Sequence, residues 1–284
     1  MTATQTGGTE YDSRIRRAEY LASQHSFAAE VLRFYSRIAE FQQYLYQILP
    51  RDWGNRPVAR PDGQIRSELN LVILLPHFPK LLDVVGRIGP PPLAEAARHL
   101  ASRNSNEWIA LLADFWSLGG RPSPEKAPTE GETKEFLTQF LLAAFLQPYC
   151  EFLAAHMPAP ELTSTHRVCP RCASAPLLGV LRPEGDGGKR RLMCCFCLHE
   201  WDFRRIFCAA CGEEDEKKLP VYVAEQFPHI RVECCDTCKT YLRTIDLTKD
   251  GNAVPLVDDL AAIPLSLWAQ ERGYTRLQPN LLGT

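Results

Sequence analysis

The stretch Met193–Trp201, MCCFCLHEW, places three cysteines, Cys194, Cys195 and Cys197, within four positions. Cys194 and Cys197 stand in the CxxC spacing, and Cys195 falls between them. The same spacing recurs at Cys169-Pro-Arg-Cys172, Cys208-Ala-Ala-Cys211 and Cys235-Asp-Thr-Cys238. A tetrahedral thiolate site needs four sulfurs at about 2.3 Å from one metal ion, and a CxxC turn delivers two of them. Residues 173–193 separate the first two knuckles and residues 212–234 the last two. A β-hairpin of that length brings one knuckle over the other, so the spacing predicts two four-cysteine ribbons.

The four knuckles form an internal repeat. Cys169 and Cys172 lie 39 residues before Cys208 and Cys211, while Cys194 and Cys197 lie 41 before Cys235 and Cys238. A duplicated unit should be self-contained, which favours sequential pairing of knuckles over an interleaved cross-brace. The expected ligands are Cys169, Cys172, Cys194 and Cys197 in one ribbon, and Cys208, Cys211, Cys235 and Cys238 in the other. Cys150, Cys195 and Cys234 are left over and read as small apolar residues. An aromatic follows each second knuckle, Trp201 and Tyr241, as packing for modules too small to have cores of their own. Zinc suits a closed S₄ site, and iron suits the same geometry in rubredoxin-like centres; the spacing fits both.

Outward from the cysteines, the 284 residues suffice for two domains. Apolar recurrence at Phe27, Val31, Tyr35, Ile38, Phe41, Leu45 and Ile48 predicts a helix, and helical period returns near 66–76, 81–88, 93–118 and 132–156. The Pro/Gly-rich segments 49–63 and 119–131 read as loops. Residues 1–10 read as a disordered tail, 11–158 as an α-helical domain, 166–204 as the first ribbon and 205–250 as the second. Residues 251–284 read as a C-terminal helix and tail. Short strands are expected at 175–182, 189–194, 219–225, 229–234 and 240–247, with a hairpin loop at 183–188. The fold class is α+β.

Net charge is −2, so a global basic field for nucleic acid is absent. Residues 166–250 hold 14 Lys and Arg against 13 Asp and Glu, with basic clusters only at Lys189–Arg191 and Arg204-Arg205. The polar start MTATQTGGTE reads as no export signal, and the longest apolar runs, Leu69–Phe78 and Phe140–Gln147, are shorter than a membrane span. A cytoplasmic protein without membrane insertion is expected, and there clustered thiols bind metal rather than pair as disulfides. No HExxH, GxSxG, P-loop or GxGxxG motif occurs. A four-cysteine site also leaves no open position for a substrate. The expectation is therefore a binding protein and not an enzyme: an assembly factor, a zinc-ribbon nucleic-acid-binding protein, or a rubredoxin-like one-electron carrier.

Several stretches resemble the FdhE family of formate dehydrogenase accessory proteins. They are CPRC at 169, CxxC followed by Glu200-Trp201, CxxC at 208, and ECCDTCKTYLR (Glu233–Arg243). The tail VDDLAAIPLSLWAQERGYTRLQPN (Val257–Asn280) is similar to the family's ending, and RAEYLASQHS (Arg17–Ser26) and YSRIAEFQQ (Tyr35–Gln43) are similar to its early helices. The sequence departs from the usual knuckle at Ala173, where Gly is common; Gly212 does follow Cys211. The resemblance implies a cytoplasmic, non-catalytic chaperone-like factor. It would bind the formate dehydrogenase catalytic subunit before export and carry iron in two rubredoxin-like sites. Asp258, Asp259 and Tyr274 lie in family-like stretches outside the metal sites and are candidates for a partner-binding surface. The other reading of these three is docking of the C-terminal helix.

Overall fold

Tyr35, Ile38, Leu45 and Leu49 recur at helical spacing, and all four are fully buried. They form one face of helix α2 (Ala29–Trp53), which follows α1 (Ala3–Gln24). The computed structural model describes residues 3–53, 65–118, 130–157 and 164–280. The bulk of the expected loops at 49–63 and 119–131, and the 158–163 part of the junction between domains, lie outside the described residues. Two details differ from expectation. Helix α1 begins inside the stretch read as a tail, and α2 carries Pro50 in its last turns.

The helical chain continues through α3 (Leu71–Leu74), α4 (Phe78–Ile88), α5 (Pro91–Ala101), α6 (Ser105–Ser117) and α7 (Glu130–His156). Asn104 starts α6 with a capping box. Its side chain accepts from the N–H groups of Asn106 and Glu107, and Glu107 returns a bond to the Asn104 N–H. In helix α7 the segment Lys134–His156 is long and apolar enough to cross a membrane. Most of that segment is buried within the protein, as in a core helix. Its one buried acid, Glu151, receives Arg14 Nη2 at 2.9 Å and the Tyr11 hydroxyl at 3.0 Å. Burial raises the Glu151 carboxyl above its ordinary value, against the pull of Arg14.

The chain divides into two compact units, residues 1–19 with 33–159, and residues 20–32 with 160–284. The second unit therefore takes the end of α1 and the start of α2; within it the His25 ring lies 5.4 Å from that of Phe227. Its strands are β1 (Pro176–Glu184), β2 (Gly187–Cys194), β3 (Glu200–Asp202), β4 (Val221–Ala224), β5 (Phe227–Cys235), β6 (Thr240–Asp246) and β7 (Thr275–Arg276). Two helices, α8 (Pro255–Ala261) and α9 (Ile263–Glu271), stand where the sequence suggests one. Ala262, at ψ 32°, and Pro264 in the first turn of α9 mark the break.

The ribbons are not separate sheets. The strand order is β3-β2-β1-β6-β5-β4, with β7 beside β6. Each ribbon is antiparallel within itself, and they join where β1 runs parallel to β6, with Gly179 facing Thr244. This seam needs a glycine. A Cβ at position 179 would fall 2.2 Å from Thr244 Oγ1 and 3.1 Å from Thr244 Cβ. Gly179→Ala is expected to cost about 1–3 kcal/mol through overpacking. Adding Thr244→Ala should restore part of the loss, as denaturant midpoints would show; equal stability of Gly179→Ala and the parent would contradict this account of the seam.

Candidate metal centres

Each knuckle is closed by its own backbone. The N–H of its first cysteine bonds the carbonyl five residues on: Cys169 to Ser174, Cys194 to His199 and Cys208 to Glu213. In the fourth knuckle Cys235 is paired with Thr240 in the sheet. Closing so tight a loop turns the residue after the second cysteine into the left-handed region. Ala173, Leu198, Gly212 and Lys239 have φ of 57°, 53°, 84° and 55°. The repeat thus holds at the level of single dihedral angles, although only one of the four positions carries the glycine that suits it.

These turns bring the eight predicted cysteines together in two sets, Cys169/Cys172/Cys194/Cys197 and Cys208/Cys211/Cys235/Cys238, with all sulfurs of a set within 4.8 Å of one another. Pairing is sequential. In the first set Sγ–Sγ separations are 3.5 Å (Cys169–Cys197), 3.4 Å (Cys172–Cys194) and 3.6 Å (Cys172–Cys197). In the second they are 3.8 Å (Cys208–Cys238) and 3.7 Å (Cys211–Cys235). A tetrahedral S₄ site with bonds of about 2.3 Å spaces its sulfurs about 3.8 Å apart. The distances therefore fit one ion per set and no disulfide. Main-chain N–H groups point at sulfur, from Phe196 to Cys194 and from Ala210 and Cys211 to Cys208. Ser174 Oγ lies 3.4 Å from Cys172 Sγ and Thr240 Oγ1 3.0 Å from Cys238 Sγ.

The thiols resist ionisation by themselves. Burial pushes Cys194 well above its ordinary value, and also raises Cys208, Cys211 and Cys235. The neighbouring Cys172 thiol raises Cys169. Burial acts the same way on Cys238, but hydrogen bonds from the Thr240 hydroxyl and N–H, with those of Cys235 and Cys211, together outweigh it and the net shift is downward. A divalent ion would supply the positive charge that lets four thiols ionise together, and would link the two knuckles covalently.

The two centres differ in exposure. All four cysteines of the first are buried, while in the second Cys211 is exposed and Cys238 half-buried. Arg171, buried inside the first knuckle, donates from Nε to His199 Nδ1 at 3.2 Å. Burial, then the Arg171 charge, brings His199 down to about 4, so its ring is neutral near pH 7. The short CPRC stretch gave no sign of this Arg–His pair. Of the three remaining cysteines, Cys234 lies in the core with Ile230, Val232 and Tyr241, Cys150 is buried in α7, and Cys195 is half-buried. Trp201 is buried, with Nε1 donating to the His166 carbonyl at 2.7 Å.

Asp258, Asp259 and Tyr274 are buried, which corrects the expectation that they present a surface. Asp259 Oδ1 lies 2.8 Å from both Arg243 Nε and Arg276 Nη2, and Asn280 Nδ2 donates to its other oxygen at 3.0 Å. Asp258 faces His229 Nε2 at 2.9 Å and accepts the Val254 N–H at the start of α8. The Tyr274 hydroxyl donates to Asp236. These contacts match the other reading, helix docking. The two arginines around Asp259 hold its carboxyl below the ordinary value although burial opposes them, and burial lowers Arg243 to about 10. Asp259→Asn strands two buried cations and is expected to cost about 3–5 kcal/mol. A depressed carboxyl stabilises the fold above its unfolded value of about 3.9 and loses that contribution as pH falls through the folded value. Thermal melts should therefore show the full deficit at pH 7, narrowing only below about pH 4.

With this geometry in place, comparison with known proteins is specific. Residues 168–205 match the family model for the FdhE central domain and residues 206–282 that for the FdhE C-terminal domain. The chain is 30% identical over 218 residues to a protein FdhE homolog of Aquifex aeolicus, covering 76% of this chain and 72% of that protein. It is 30% identical over 302 aligned positions to the homolog of Pseudomonas putida, covering 96% and 86%. The crystal structure of the FdhE protein from Pseudomonas aeruginosa shares the fold, with a TM-score of 0.71 over 99% of this chain and 96% of that one, at 24% identity. The chain belongs to the FdhE family.

Proposed function

We propose that this protein is a cytoplasmic accessory factor for the maturation of a formate dehydrogenase, or of a related molybdopterin oxidoreductase, and binds the catalytic subunit before its export. The observation that carries the reading is the pairing of family membership with two coordinatively closed cysteine centres. Such centres fit a structural metal, zinc or iron, and leave no coordination position for a substrate. The eight cysteines would hold the two ions, and the sheet they clasp would present surface to a polypeptide.

The nucleic-acid reading keeps little of its footprint, since every member of the two basic clusters except Arg205 faces a carboxylate. Lys189 and Arg191 are paired with Asp202, Arg190 with Glu233, and Arg204 with Glu214. An electron-carrier reading draws on one observation, the exposure of Cys211, and requires iron with a reversible couple in the second centre.

Anaerobic purification from the native host under formate-respiring conditions tests the proposal. A formate dehydrogenase catalytic subunit should co-purify with the parent protein and be lost from Cys194→Ser. Co-purification of nucleic acid, or of no polypeptide in repeated trials, would contradict it.

A further inference from the structure

The two cysteine centres present their sulfurs to different surroundings. Cys169, Cys172, Cys194 and Cys197 are 0–3% exposed. In the second set Cys208 and Cys235 are buried, Cys238 is half-buried and Cys211 is exposed. The space beside the second set is also less filled. Ile230, Val232, Tyr241 and Ile245 of β5 and β6 belong to an apolar core with Ala262, Leu265 and Ala269. Side chains alternate along a strand, so Arg231 and Glu233 of β5 face the other way. There they line a cavity of about 320 Å³, whose wall includes Cys208, Ala209, Ala210 and Cys235. Arg190, Arg205 and Glu216 also line it, so its charges are of both signs. The second centre thus meets solvent at Cys211 and open space at Cys208 and Cys235.

A thiolate, not a thiol, attacks a hydroperoxide, and thiolate character together with exposure selects the cysteine that is oxidised. Coordination to a metal ion keeps a ligating thiol deprotonated. Cys150, Cys195 and Cys234 lie outside both sets; the first and last are buried and Cys195 is half-buried. Among the described residues, Cys211 is the cysteine that combines full exposure with a place in a four-sulfur set. Cys235 Sγ lies 3.7 Å from its sulfur.

We propose that the second centre is a clasp released by peroxide, while the first is permanent. The Cys211 thiolate attacks one oxygen of hydrogen peroxide. An S–O bond forms as the O–O bond breaks, and the hydroxide that leaves takes up a proton to become water. The Cys235 thiolate then attacks the sulfenic sulfur. The S–S bond forms as the S–O bond breaks, and a second hydroxide leaves and is protonated to water. Two thiolates lose two electrons in total, and one peroxide gains them. Cys208 and Cys238 are then the only thiolates left to the ion, where a closed site needs four, and it departs. Its loss unties the 208–211 turn from the end of β5, where both wall the cavity, and leaves the first ribbon intact. The inference rests on the reading of the second cysteine set as a metal centre.

Zinc-loaded, full-length protein treated with excess hydrogen peroxide beside a chromogenic zinc chelator tests it. One ion per chain should leave at least tenfold faster than the other. Peptide mapping at the end of the fast phase should find a Cys211–Cys235 disulfide and four unoxidised thiols in the first set. Dithiothreitol with added zinc should restore the second ion. Cys211→Ser, which keeps only the first centre, should release its ion at the slow rate, and Cys195→Ser should release as the parent does. Loss of both ions at one rate, a first-formed disulfide between any other pair, equal release by the chelator without peroxide, or a tenfold slower fast phase in Cys195→Ser would overturn the proposal. A parent that holds two ions and fails these readouts loses the clasp and keeps both centres; a parent that holds fewer than two loses both readings.

Discussion

Four thiols whose sulfurs lie 3.4–3.8 Å apart cannot all ionise in a buried space without a cation among them. The second structural unit depends on that constraint. Its knuckle turns place sulfur at metal-ligand spacing, aim N–H groups at it, and accept left-handed residues at Ala173, Leu198 and Lys239. Those turns are strained without compensation. Burial raises the thiols of Cys194, Cys208, Cys211 and Cys235, four of the eight, and a bound ion would supply the positive charge that offsets this.

Fusion of the two ribbons follows from the same economy of small modules. Neither has a large core, and each gains one by sharing a sheet through β1 and β6. Arg190 reinforces the joint, reaching from the first ribbon to Glu233 in the second and to the carbonyl of Arg204 between them. One face of the joined sheet is then covered by α8 and α9, anchored by Asp259 with Arg243 and Arg276. The opposite face keeps an open cavity next to the more exposed metal centre. Symmetry in the cysteine repeat therefore ends in two different environments: one centre closed in, with Arg171 and His199 beside it, and one reaching solvent at Cys211.

Much of this was legible in the sequence because thiolate coordination imposes a local rule. CxxC spacing and the 39- and 41-residue offsets named the converging cysteines and their pairing, and turn residues bounded five of the strands. The parallel seam was not legible, since a lone Gly179 in an apolar strand gives no sign of its partner Thr244, 65 positions away. Asp258 and Asp259 misled for a related reason. They were named because they lie in family-like stretches outside the cysteine sites, and the arriving Arg243, Arg276 and His229, which a local reading does not show, make their burial possible. Arg171 likewise looked like a knuckle spacer and is a buried cation.

The central claim is that each set of four cysteines holds one ion and that the neighbouring thiols hold none. Elemental analysis of anaerobically purified protein, with native mass spectrometry, tests it most directly. The account predicts two ions per chain in the parent and in Cys195→Ser, and one in Cys194→Ser and in Cys211→Ser. A single ion in the parent, or loss of an ion from Cys195→Ser with both retained in Cys194→Ser, would contradict it.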